Sequence, residues 1–77
     1  MQFTAMVAHR YSEFKFAGKP DERVRNCLKG HGYRWNPRGM VWHKDAATGY
    51  ADCIAGLGLL GCVLTSSTIA YSDLGIE

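Results

Sequence analysis

The chain has 77 residues, 47% of them apolar and 21% charged, with a formal net charge of +2. That length allows one domain and no more, and the apolar content excludes an intrinsically disordered chain. The charge is too mild for a dedicated nucleic-acid binder with a clear Lys/Arg excess. The most apolar run, residues 53–64 with three glycines, is also too short to span a bilayer, which takes about 20 residues.

Residues 2–10 read as a first strand, with Phe3, Ala5 and Val7 on one parity. A tight link at His9 and Arg10 leads to a second strand over residues 11–16. Pro20, Asp21 and Glu22 then open a helix in which Val24, Cys27, Leu28 and His31 form one stripe. Arg23, Arg25, Asn26 and Lys29 face away from it, and Gly30 and Gly32 stop the helix. Tyr33 starts a third strand, Asn36-Pro37-Arg38-Gly39 fits a type I turn, and residues 40–44 return as a fourth strand. The hairpin register stays open. With a bulge at Gly39, Tyr33, Trp35, Val41 and His43 share a face; without it, Tyr33, Trp35, Met40 and Trp42 share it.

Asp45 is positioned to cap a second helix over residues 46–57, with Tyr50, Cys53, Ile54 and Leu57 on its stripe. A strand over residues 59–65, a turn at Ser66-Ser67, a short strand over residues 68–71 and a loose tail over residues 72–77 complete the chain. The order ββ-α-ββ-α-β predicts one compact α+β domain over residues 1–77, an antiparallel sheet of four to six strands with two helices on one face. Residues 26–33 align without a gap on residues 52–59, each pairing a helix end with a Gly-x-Gly stop. Two helix-to-strand joints built alike explain the match. The glycines follow helices rather than open them, so they are not phosphate loops.

Three cysteines at no framework spacing, each in an apolar stretch, read as reduced and buried thiols of a cytosolic protein. Met1 runs straight into alternating sequence without the pattern of a secretory leader, so a cytoplasmic location is expected. Cys27, His31, His43 and Cys53 have zinc-ligand chemistry, and Cys27 and His31 lie one helical turn apart. His43 falls in a strand, however, and no Cys-x-x-Cys knuckle exists, so neither metal nor cofactor is expected. Burial of the thiols likewise argues against a Cys–His nucleophile, and no enzymatic activity is expected.

The best functional candidate is an aromatic-basic cluster. Arg34, Arg38, Trp42 and Lys44 lie along the hairpin, and Arg23, Arg25 and Lys29 lie on the helix before it. Arginines pair with phosphate or carboxylate, and an exposed Trp stacks on a base or anchors an interface. Trp35 is assigned to the core, and Arg38 to the exposed turn tip.

The segment from Asp21 to Lys44 carries Gly30-His31-Gly32-Tyr33, Arg34-Trp35-Asn36-Pro37 and Val41-Trp42. It resembles a helix–hairpin module of small phage and mobile-element proteins, and part of the N-terminal module of annealing-type helicases. The resemblance covers about a third of the chain, and no ATPase motif accompanies it. By analogy with small phage inhibitors such as anti-CRISPR proteins, it implies a non-catalytic protein that occludes a host protein or nucleoprotein complex. The alternative is a small DNA- or RNA-binding accessory module. A monomer or a homodimer paired through edge strands fits either.

Overall fold

The structure is a computed structural model that describes residues 1–69. In chain order the elements are β1 (Gln2–Ala8), β2 (Tyr11–Phe16), α1 (Glu22–Gly30), β3 (Arg34–Asn36), β4 (Val41–Lys44), α2 (Tyr50–Leu59) and β5 (Val63–Ile69). The expected α+β class and order are present. Five strands form a sheet in the order β3-β4-β2-β1-β5. The tail expected over residues 72–77, and the last two residues of the short strand expected before it, lie outside the described residues. Ser66 and Ser67 do not turn; they continue β5.

The sheet is mixed rather than wholly antiparallel, because β5 runs parallel to β1. The reason is topological. β4 is antiparallel to β2, and β2 to β1, so β4 and β5 point the same way. A strand that returns through a helix to the same sheet emerges in its original direction. By the same argument β2 and β3 run parallel, joined through α1 and separated by β4. The two β-α-β crossovers start from antiparallel strands and step in opposite directions along the sheet. A common right hand therefore puts both helices on one face.

That face carries the core. Phe3 and Ala5 of β1, Phe14 of β2 and Trp42 of β4 pack with Val24 and Leu28 of α1 and Cys53 and Leu57 of α2. Phe14 meets the rings of Phe3 and Tyr33 at 5.8 and 4.8 Å. A pair of hydroxyls is buried among them. The Ser12 hydroxyl lies 2.6 Å from the Tyr33 hydroxyl and donates to the Ala46 carbonyl at 2.7 Å.

Local chemistry explains the helix ends. Asp21 caps α1, its carboxylate accepting from Val24 N at 3.0 Å. The second helix begins later than the expected residue 46. Its N-cap is Gly49, with φ 83° and no side-chain capping bond, so Asp45 does not cap it. It also runs through Gly56 and Gly58, which correct the expected Gly-x-Gly stop: the left-handed residue is Gly61, φ 91°. The two joints are alike, but in a different alignment. Tyr33 N donates to Leu28 O, with Gly32 at φ 90°; Cys62 N donates to Leu57 O, with Gly61 in the matching place. Hydrogen bonding thus equates Gly32 with Gly61, not with Gly58.

Candidate binding groove

Trp35 pairs with Trp42 across β3 and β4, and Asn36 pairs with Val41. This settles the hairpin register in favour of the reading without a bulge at Gly39: Tyr33, Trp35 and Trp42 share a face, while Met40 lies in the connecting loop. The left-handed position falls on Met40, φ 57°, rather than on Gly39. Asn36 holds the turn by accepting from Arg38 N at 3.0 Å.

The assignments of the two tryptophans are reversed. Trp42 is 4% exposed and Trp35 45%. Trp42 stands in β4, which has a neighbour on each side, whereas β3 is the sheet edge and leaves a flank of Trp35 uncovered. Trp42 therefore offers a partner little of its ring. Its Nε1 is buried with no hydrogen-bond partner.

Where β2 and the hairpin meet α1, the surface opens into a groove of about 1210 Å³. Its lining includes Lys15, Lys19, Arg25, Lys29 and Arg34, the exposed Trp35 and Met40, and Phe16 and Trp42. Among the described residues no Asp or Glu lines it. The volume exceeds the roughly 300–1,000 Å³ of a typical small-molecule pocket. Arg25 is braced at the rim, donating from Nη1 to Pro20 O at 2.6 Å.

Of the residues read from sequence as partner-binding, Arg25, Lys29, Arg34 and Trp42 line this groove. Arg23 and Arg38 are exposed outside it. Lys44 is half-buried and committed internally: its ammonium donates to His31 O at 3.0 Å and lies 4.8 Å from the centre of the Tyr33 ring. Lys15, Lys19 and Trp35 were not anticipated as a set. Lys15 and Lys19 come from the end of β2 and the loop after it, Trp35 from β3, and the sheet order β3-β4-β2 brings the two segments to one cleft.

The zinc-type residues divide. Cys27, His31 and Cys53 converge between the helices, their ligand atoms all within 4.8 Å of one another. His43 stacks on Tyr11 instead, with ring centres 6.1 Å apart. Cys27 is only partly buried, unlike Cys53 and Cys62. The Cys27 Sγ lies 3.9 Å from His31 Nδ1, and that nitrogen is 2.9 Å from the Cys27 carbonyl oxygen. A carbonyl can only accept, so Nδ1 carries the proton and is no base for the thiol. Burial, then Cys27, pushes the Cys53 thiol up to about 12.

Among the described residues no helix is long and apolar enough to cross a membrane. The fold and groove define a small α+β domain with a cationic, aromatic cleft at one end of its sheet. Comparison with known proteins finds no matching family model, curated protein or solved structure.

Proposed function

We propose that this chain is a non-catalytic binding module that holds a single strand of nucleic acid in the groove beside β3 and α1. One observation carries the proposal: five cationic residues and a half-exposed indole line one cleft, and among the described residues no Asp or Glu lines it. Single-strand binders combine the same two elements, cations that follow the phosphates and an aromatic face on which a base stacks. Concentrating these cations in one cleft offsets the mild net charge, because binding responds to local potential rather than to the total.

Fluorescence anisotropy with labelled oligo-dT and oligo-U, at low and moderate salt, tests this. Five phosphate contacts give a salt slope of about −3.5, an affinity loss of roughly 100-fold between 50 and 200 mM salt. Lys29→Glu and Arg34→Glu weaken binding and flatten the slope, Trp35→Ala weakens it by about 1–3 kcal/mol, and Arg38→Glu leaves it nearly unchanged. No binding of either oligomer at low salt overturns the proposal.

A second reading rests on Met40, 60% exposed beside Trp35 at the open edge of the hairpin. An apolar tip next to a cationic cleft suits an acidic protein surface, as expected of an inhibitor that occludes a host protein or nucleoprotein complex. It predicts capture of such a complex that Met40→Asp abolishes and that added oligonucleotide does not displace.

A further inference from the structure

We propose that Cys27, His31 and Cys53 form a Cys2His site for a zinc ion that ties α1 to α2. The three donors come from both helices, and their ligand atoms lie within 4.8 Å of one another. Tetrahedral zinc, about 2.3 Å from sulfur and 2.0 Å from nitrogen, sets such atoms about 3.5–3.8 Å apart. The Cys27 Sγ to His31 Nδ1 distance is already 3.9 Å; ligation through Nδ1 moves its proton to Nε2 and gives up the 2.9 Å contact to the Cys27 carbonyl, so loading needs that tautomer change and a closure of about 1 Å.

The chemistry of the donors selects the ion. Two sulfurs and an imidazole suit a soft or borderline metal, whereas Mg²⁺ and Ca²⁺ require oxygen ligands that this cluster lacks. Binding releases one proton from each thiol. Two thiolates and Zn²⁺ then sum to zero charge, which a buried position tolerates far better than a lone thiolate. Three protein donors leave a fourth position for water or an added ligand.

Gly56 points to the same place independently. A Cβ built there would lie 3.1 Å from the Cys27 Sγ and 3.8 Å from His31 Cε1. The absence of a side chain on α2 is thus what admits the thiol and the imidazole of α1 into the space between the helices.

The test is titration of the reduced, metal-free protein with Co²⁺, then competition with Zn²⁺. The expected result is one equivalent bound, with a thiolate-to-cobalt charge-transfer band that zinc abolishes and a rise in Tm on zinc addition. His31→Ala and Cys27→Ser should each weaken binding at least about tenfold. Gly56→Ala should weaken it too, whereas Cys62→Ala and His43→Ala leave it unchanged. Cys53→Ala is informative only if circular dichroism shows it folded; the partly buried Cys27 and His31 keep the test decisive if it is not. The absence of a charge-transfer band at one equivalent, unchanged affinity in His31→Ala, or a band that depends on Cys62 overturns the site. So does a Cys27–Cys53 disulfide, formed by air oxidation, that persists in a mild reductant in place of metal binding.

Discussion

Ser12, Met40 and Trp42 each hold a polar group or a backbone angle in a setting that costs free energy unless a neighbour compensates. The Ser12 hydroxyl serves both Tyr33 and the Ala46 carbonyl. Ser12→Ala leaves both without that partner in the interior and should cost about 1–3 kcal/mol in urea unfolding. Tyr33→Phe should cost less, because Ser12 keeps Ala46, and the double variant should cost less than the sum of the two; a neutral Ser12→Ala would refute the network. Met40 occupies the left-handed region, where a side chain costs roughly 1–2 kcal/mol. It is mostly exposed, so Met40→Gly sacrifices little burial and should raise stability by up to about 1 kcal/mol. Trp42 has no acceptor for its indole N–H, which Trp42→Phe removes along with part of the ring. That substitution should cost far less than the roughly 3–5 kcal/mol of Trp42→Ala.

The two helix-to-strand joints make a matched pair at the scale of elements. Each ends on a glycine near φ 90°, with the next residue's N–H returning to a carbonyl five residues back. Two glycines near the end of α2 therefore respond oppositely to the same change. Gly58 is helical with nothing within 4 Å of an added Cβ, so Gly58→Ala should stabilise by about 0.5–1 kcal/mol. Gly61 sits at φ 91°, and Gly61→Ala should destabilise by about 1 kcal/mol or more. Thermal unfolding of the pair separates the two alignments, since a helix ending at the Gly56-x-Gly58 stop would place the penalty on Gly58 instead. The start of α1 is as legible as its end, because Asp21 has a side chain that caps. The start of α2 is not, because its cap is a glycine conformation with no side-chain signal.

Two phenols shape the response of the whole molecule to high pH. Partial burial, then the hydrogen bond to Glu13, raises the Tyr11 phenol from 10.0 to about 12. The folded chain therefore keeps a proton that the unfolded chain loses first. The stability this contributes is complete below about pH 10 and is lost between about pH 10 and 12. Burial moves Tyr33 in the same direction. Unfolding free energy should fall with pH across that window, and Tyr11→Phe should flatten the fall; an unchanged slope in that variant would assign the effect elsewhere.

Periodicity and turn chemistry by themselves determined the α+β class, the order ββ-α-ββ-α-β, the first helix and the hairpin turn, because each is set by neighbours a few residues apart. Pairing between distant strands decided the rest. It placed β5 parallel to β1, put β3 at the edge and β4 inside, and so exposed Trp35 while burying Trp42. It also gathered Lys15, Lys19 and Arg34 into one cleft and brought Cys53 across to Cys27 and His31. Local sequence carries no signal for such meetings, since nothing within a helix or a strand specifies which element will lie beside it.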